Sequence, residues 1–93
     1  MSRESAETLA VAALGFLAAD PARMARFLAL TGLEAHRLRG MVADPGFHCA
    51  VLEHLAGDER LLIAFAQEEN VDPAHILRAR AALGGPDWER ETA

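Results

Sequence analysis

The chain has 93 residues, of which 52% are apolar and 25% charged, and its 9 basic and 14 acidic side chains give a formal net charge of −5 at pH 7. On folding, a chain of this mass can bury about 9,000 Å², or about 64% of the surface that its unfolded form exposes. These quantities exclude intrinsic disorder as the main state, and they exclude a two-domain enzyme.

Cysteine usage and hydropathy indicate the compartment. Cys49 is the single cysteine, which excludes an internal disulfide framework and is typical of a reducing compartment. The apolar run over 8–19 is shorter than the roughly 20 residues that span a bilayer, and the positive leader of a signal peptide does not precede it. We therefore expect a cytoplasmic protein that does not enter a membrane.

Three Asp-Pro pairs predict three helix starts, because the aspartate side chain caps free backbone N–H groups and proline suits the first helical position. The pairs are Asp20-Pro21, Asp44-Pro45 and Asp72-Pro73. Helix ends are predicted at residues that easily adopt a left-handed backbone. These are Gly32, Gly57, Asn70 and Gly84.

The boundaries and the spacing of apolar residues predict an all-α fold. Six helices are expected at about 5–19, 21–31, 34–43, 45–56, 59–69 and 73–83. No segment shows the sustained alternation of a β-strand, so we expect no sheet. The chain is predicted to be a compact helical bundle, with one domain over 1–85 and a C-terminal tail over 86–93.

The first predicted helix has no charged face along its apolar run. Small residues, including Gly15 and Ala19, cover the side opposite its large apolar residues. A helix without a solvated face is normally surrounded by protein. Two arrangements satisfy this pattern: the helix lies at the centre of the bundle, or its small-residue side meets a second copy of the chain in a homodimer.

A shift of 38 residues aligns similar positions in the two halves of the chain, which makes an internal repeat a hypothesis. It aligns Asp20 with Asp58, Phe27 with Phe65, and Gly32 with Asn70. The bundle could then consist of two three-helix units related by a pseudo-repeat. Few identities support the alignment, so true duplication and two stretches that follow the same helix rules both stay open.

Several large apolar side chains fall outside the predicted core stripes. Leu30 lies between the directions of Arg23 and Arg26 on its helix, Ile63 and Leu77 lie off the apolar arcs of theirs, and Trp88 is in the tail. Exposed apolar groups beside arginine are typical of protein interfaces, although scattered surface leucines are also ordinary. The pattern favours a non-catalytic protein-interaction or adaptor module. The candidate partner-binding residues are Arg23, Arg26, Leu30, Ile63, Leu77 and Trp88.

DNA binding through a helix-turn-helix over 21–43 is the alternative. The turn at Gly32 joins two short helices, and the second would present His36, Arg37 and Arg39 to bases. Electrostatics oppose this hypothesis, because phosphate neutralisation supplies most DNA affinity and the chain has a net charge of −5. We therefore expect an unidentified protein partner rather than nucleic acid.

The histidines and the cysteine do not have the spacing of a metal site. His48 precedes Cys49 directly but points about 100° away from it around the helix, so it is not a base positioned for that nucleophile. We expect no catalytic residue, no metal and no cofactor. His48 falls inside an apolar arc and is expected to be a boundary imidazole with a backbone partner. Cys49 is expected to be an inert, partly buried thiol.

Runs over 27–33, 58–65 and 79–85, with Asp72-Pro73, resemble the motifs of a family of short uncharacterised α-proteobacterial proteins, classified as a domain of unknown function. The resemblance extends from about Ala6 to Gly85. It implies a small all-helical bacterial protein with no established activity, cofactor or catalytic residue. Glu34-Ala35 stands where the family pattern has an Asp-Pro cap, which weakens the predicted start of the third helix.

Overall fold

A computed structural model describes residues 1–84, and these residues form six α-helices and no strand. The helices are α1 (Arg3–Ala18), α2 (Pro21–Thr31), α3 (Leu38–Met41), α4 (Pro45–Ala56), α5 (Glu59–Glu69) and α6 (Pro73–Gly84). This arrangement confirms the all-α bundle of about six helices. The predicted tail over 86–93, with Trp88, lies outside the described residues.

Aspartate caps begin α2, α4 and α6 as the sequence predicts. The Oδ1 atom of Asp20 accepts the N–H of Ala22 at 2.9 Å, and Oδ1 of Asp44 accepts that of Gly46 at 2.9 Å. Asp72 accepts the N–H of Ala74 at 2.8 Å. Each bond satisfies one backbone donor that has no partner within its helix, and such a cap typically contributes about 1 kcal/mol.

Two of the four predicted left-handed helix ends are confirmed. Gly32 (φ 74°) ends α2, and Asn70 (φ 57°) ends α5. The prediction is wrong at Gly57, whose φ of −81° continues the helical backbone. It is also wrong at Gly84, which is the last residue of α6 and has no positive φ. A Cβ atom on Gly84 would overlap Sγ of Cys49. Glycine is therefore needed here because it has no side chain, and not because the backbone is left-handed.

The third helix is much shorter than the predicted 34–43. A single 3-10 turn over Ala35–Arg37 leads into the four-residue α3. No side chain caps either segment. The carboxylate of Glu34 lies instead against His36, at 3.1 Å, and Arg37, at 4.0 Å. Without a side chain that accepts hydrogen bonds from the free backbone N–H groups at its start, this segment forms only one turn of each kind.

Three helices, α1, α4 and α6, pack against one another and form the centre of the bundle. Helix α2 packs on α1, and α5 packs on α4 and α6. The apolar sides of these five helices meet in one buried core. Its largest fully buried side chains are Leu17, Phe27, Val51, Leu52, Leu55, Phe65 and Ile76.

Helix α1 is central but is not surrounded. Its buried residues are Ala6, Leu9, Ala10, Ala13, Phe16 and Leu17. Val11 is 46% exposed, and Gly15, Ala18 and Ala19 are exposed beside it. The predicted central position is therefore confirmed, but α2, α4 and α6 cover only the side with the large residues, and the small-residue side is open.

The second helices of the two halves, α2 and α5, play matching structural roles. Asp20 and Asp58 both cap a helix with their side chains, and Phe27 and Phe65 are both fully buried. The third helices differ: α3 has 4 residues and α6 has 12. The similarity between the halves is thus local and does not extend to α3 and α6.

Among the described helices, none is both long enough and apolar enough to cross a membrane alone. Helices α1 and α2 meet the length and composition criteria only as a pair, and the chain bends by 116° between them.

The contact between Gly84 and Cys49 predicts a specific coupling. Gly84→Ala should lower the free energy of unfolding by about 1–3 kcal/mol, because the added methyl group overpacks the contact between α6 and α4. In a Cys49→Ala background the same change should cost less, since Sγ is gone. Urea unfolding of the four proteins measures this difference. An equal cost of Gly84→Ala in both backgrounds would contradict the contact.

Candidate functional site

A cleft of about 240 Å³ lies between α2 and the turn that joins α4 to α5. Its lining combines several charged side chains with two apolar ones. The lining residues are Arg23, Arg26, His54, Asp58, Arg60, Leu61 and Ala64. We call this cleft the arginine pocket. It brings together two of the predicted partner-binding residues, Arg23 and Arg26, with residues from a different part of the sequence.

Phe27 positions α2 beside the pocket. Its ring is fully buried, with its centroid 5.1 Å from that of His54 and 6.1 Å from that of Phe47, both edge-on. Such aromatic pairs contribute about 0.5–1.5 kcal/mol beyond the area that they bury. Because Arg26 precedes Phe27 directly and Arg23 lies one turn earlier, anchoring Phe27 in α4 places both guanidinium groups at the pocket.

Arg23 is held in place by two contacts. Its guanidinium carbon lies 4.4 Å from the centroid of the Phe16 ring, a cation–π geometry. Its Nε lies 3.7 Å from Oδ2 of Asp20. Phe16 in turn packs on Phe65 of α5, with 5.3 Å between ring centroids. The contacts of Arg23 therefore connect α2 to α1, and through Phe16 to α5.

Arg26 and Arg60 supply charge that carboxylates do not neutralise at close range. Within residues 1–84, no carboxylate oxygen lies within 4.0 Å of either guanidinium group. The three arginines and Asp58 give the lining a net charge of +2 when His54 is neutral. Oδ1 of Asp58 already accepts the N–H of Leu61 at 3.2 Å as the cap of α5. The pocket is a local positive site on an acidic chain.

The surroundings of His54 in the pocket shift the pKa of its imidazole. Burial lowers the pKa of its imidazole, the positive charge of Arg26 lowers it further, and the carboxylate of Asp58 opposes this change. Its Nε2 atom is buried and has no hydrogen-bond partner among the described residues. The imidazole is thus held in its neutral form, with an unused polar atom beside the arginines.

Of the other predicted partner-binding residues, two share a helix face with a pocket arginine and one lies on a different helix. Leu30 is 64% exposed and follows Arg26 by four residues, so the two share a face of α2. Ile63, 40% exposed, follows Arg60 by three residues on α5. Leu77, 39% exposed, is on α6 and is not part of the lining. Trp88 lies outside the described residues.

Three residues of the arginine pocket, His54, Asp58 and Arg60, are not predicted as site residues by the sequence. They come from the end of α4 and the start of α5, and the contact between α2 and α4 brings them to Arg23 and Arg26. A sequence signal exists only in retrospect: Arg60 lies in the first turn of α5, where acidic residues are favoured and a positive charge is not.

His48 and Cys49 have structural surroundings. His48 is buried, and its Nε2 bonds the backbone carbonyl of Val42, as predicted. Burial, followed by the negative charge of Glu53, raises the pKa of the Cys49 thiol, while Arg80 opposes this change. A raised thiol pKa keeps the less reactive protonated form at neutral pH.

Among the described residues, the structure has neither a metal-binding cluster nor a long DNA-recognition helix. In the described part of the chain, no three His, Cys, Asp or Glu side chains converge in a way that could hold a metal ion. The segment proposed to read DNA bases is one 3-10 turn followed by four helical residues. His36 and Arg37 on that segment are close to the Glu34 carboxylate.

Comparison with known proteins places the chain. The family model of a protein of unknown function, DUF3572, matches residues 3–86. The chain belongs to the DUF3572 family. No curated protein and no solved structure matches it significantly. The description of the DUF3572 family assigns no activity to its members.

Stability of this DUF3572 chain should depend on the protonation of His54. Because its pKa in the folded chain is below the ordinary 6.5, the unfolded chain takes up protons first as the pH falls. The free energy of unfolding should therefore be fully maintained above pH 6.5 and should decrease as the pH falls through the folded pKa. His54→Gln should flatten this decrease in urea titrations, whereas His36→Gln, at an exposed site, should retain it. Equal slopes in the two variants would contradict the assignment.

Proposed function

We propose that the chain is a non-catalytic protein-interaction or adaptor module that binds its partner through α2. We define the α2 face as Arg23, Arg26 and Leu30. Leu30 carries the proposal, because at 64% exposure it is the most exposed large apolar side chain among the described residues, and it stands beside two arginines. Apolar anchors next to arginine are typical of the energetic centres of interfaces.

The α2 face favours a partner segment that combines apolar and acidic residues. Fully burying one leucine contributes about 1.5–3 kcal/mol. Arginine adds planar hydrogen bonding to carboxylates or phosphates, and its charge speeds association with an acidic segment. Ile63, which follows Arg60 on α5, can extend the contact beyond the arginine pocket.

The surroundings of Cys49 and His48 support a non-catalytic role. Catalytic cysteines have lowered thiol pKa values, whereas burial raises that of Cys49. His48 uses Nε2 to bond a backbone carbonyl within its own fold. Both groups therefore have surroundings typical of structural rather than catalytic side chains.

We also infer a bacterial, cytoplasmic protein. A single, partly buried cysteine fits a reducing compartment. The motifs over 27–33 and 58–65 support an α-proteobacterial source. The exposed side of α1, with Val11 and Gly15, offers a second contact surface, where another copy of the chain could pack.

Two exposed apolar residues on different helices provide a matched test of the α2 face. Leu30→Asp and Val11→Asp should both melt within a few degrees of the original protein, because neither removes a buried contact. Affinity capture with mass spectrometry should recover the same specific proteins, apart from copies of the chain itself, with Val11→Asp as with the original chain. Leu30→Asp should lose those proteins.

The proposal is then checked with purified components. A captured protein should bind the original chain directly, and Leu30→Asp should weaken that binding by roughly tenfold or more, the equivalent of about 1.4 kcal/mol. Leu77→Asp in the same assay shows whether the interface also includes α6. Binding that is equally strong with Leu30→Asp and Val11→Asp would contradict a role for the α2 face.

The second-copy contact has its own measurement. If the exposed side of α1 is a dimer interface, sedimentation velocity should show a dimer for the original chain and a monomer for Gly15→Glu. A folded monomer in both cases would overturn the dimer and leave the α2 face untouched.

A further inference from the structure

The arginine pocket has charge and shape that binding through Leu30 does not require. Leu30 lies on the helix surface, whereas the pocket is a concave site of about 240 Å³ beside it. Arg26 of α2 and Arg60 of α5 approach it from two different helices. Both keep their guanidinium groups more than 4.0 Å from every carboxylate oxygen within residues 1–84. Such positive charge is available to a ligand.

The lining offers an anion free guanidinium donors from two helices. Its three arginines and Asp58 sum to +2 with His54 neutral, and Asp20, whose Oδ2 lies 3.7 Å from Nε of Arg23, reduces the local charge to about +1. A phosphate monoester carries about −1.5 to −2 at pH 7 and has three strong acceptor oxygens. A carboxylate carries one negative charge and has two acceptor oxygens, so positive charge attracts it less and it accepts fewer hydrogen bonds. The free donors of Arg26 and Arg60 therefore match a phosphate monoester better than a carboxylate.

The volume of the pocket is also large enough for a phosphate monoester. One bound water needs roughly 10–15 Å³ of such space, so the pocket of about 240 Å³ has room for a group several times larger than a water molecule. A phosphoryl group with the oxygen and first carbons that carry it fits within this space, and some water remains.

We propose that the arginine pocket binds a phosphate monoester dianion, presented as a phosphorylated side chain by the partner of the α2 face. The proposal rests on the proposed function for the identity of the partner, but the phosphate site itself stands on the pocket. Arg26 and Arg60 donate guanidinium hydrogen bonds to the phosphoryl oxygens, and Arg23 adds charge from its position over Phe16.

A neighbouring cleft favours a single phosphate over a nucleic acid. Arg23 also lines this second cleft, which contains the carboxylates of Asp20, Glu68 and Glu69. A continuous phosphate backbone leaving the arginine pocket on this side would meet these three negative charges. A protein segment with one phosphorylated residue avoids that repulsion and can place an apolar side chain on Leu30.

His54 should report on occupancy. A dianion beside the imidazole favours its protonated form, so binding should move the pKa of His54 upward, opposite to the present effect of burial and Arg26. The histidine also contacts Phe27, which ties the pocket to the packing of α2 on α4.

NMR titration of the full chain with O-phosphoserine tests the site. At constant ionic strength, backbone amide shifts should change around Arg26, His54 and Arg60, and the His54 imidazole should titrate at higher pH. Arg26→Gln and Arg60→Gln should each weaken binding by roughly tenfold, because each removes a charge-assisted contact. Arg78→Gln, an exposed arginine on α6, should leave binding unchanged.

Binding of acetate, a phosphopeptide and duplex DNA to the same protein distinguishes a phosphorylated protein segment from other anions. Acetate should bind more weakly than O-phosphoserine, and a peptide with one phosphoserine near a leucine should bind more tightly. Duplex DNA at the same salt concentration should bind more weakly than the phosphopeptide. Shifts outside the pocket, unchanged affinity in Arg26→Gln and Arg60→Gln, equal binding of acetate, or tighter binding of DNA would each overturn the proposal.

The phosphate site and the proposed function fail in different ways. If Leu30→Asp abolishes partner binding while O-phosphoserine does not bind, the phosphate site is wrong and the interaction module stands. If O-phosphoserine binds through Arg26 and Arg60, but the phosphopeptide gains no affinity from Leu30, the pocket takes free phosphate esters. That result would overturn presentation of the phosphate by a protein partner.

Discussion

The packing of Phe27 against α4 is the interaction on which the candidate site depends. Its buried ring contacts His54 and Phe47 edge-on and fixes α2 over the turn between α4 and α5. This contact brings arginines that are distant in sequence to one pocket. A truncation to Ala would cost about 3–5 kcal/mol, as for other buried phenylalanines. The same ring therefore supports both the stability of the bundle and the geometry of the pocket.

Positive and negative side chains are separated into two neighbouring clefts of this molecule. The chain as a whole is acidic, yet its arginine pocket has a positive lining, and the cleft on the other side of Arg23 contains three carboxylates. Positive and negative surfaces thus lie on either side of Arg23. In the proposed interface this arrangement selects the orientation of the partner, because the wrong placement brings like charges together. Leu30 is proposed to supply the apolar contact that charge alone lacks.

Much of the fold could be predicted from sequence, because its determinants are local. An aspartate followed by proline caps a helix wherever it occurs, and Asp20, Asp44 and Asp72 all do so. The predictions at Gly57 and Gly84 are wrong because glycine also occurs in ordinary turns and at close packing contacts, not only at left-handed helix ends. The pocket could not be predicted, since His54 and Arg60 meet α2 only through tertiary contacts. Exposure of Leu30 followed from helical periodicity alone.

The most direct test of the account is an aromatic NOESY experiment on the isotopically labelled full chain. The account predicts cross-peaks from the Phe27 ring to the rings of both His54 and Phe47, alongside those between Phe16 and Phe65 that report on the core. If Phe16 and Phe65 show their cross-peaks while Phe27 shows none to His54 or Phe47, α2 does not lie over the α4–α5 turn. The arginine pocket would then not exist as described.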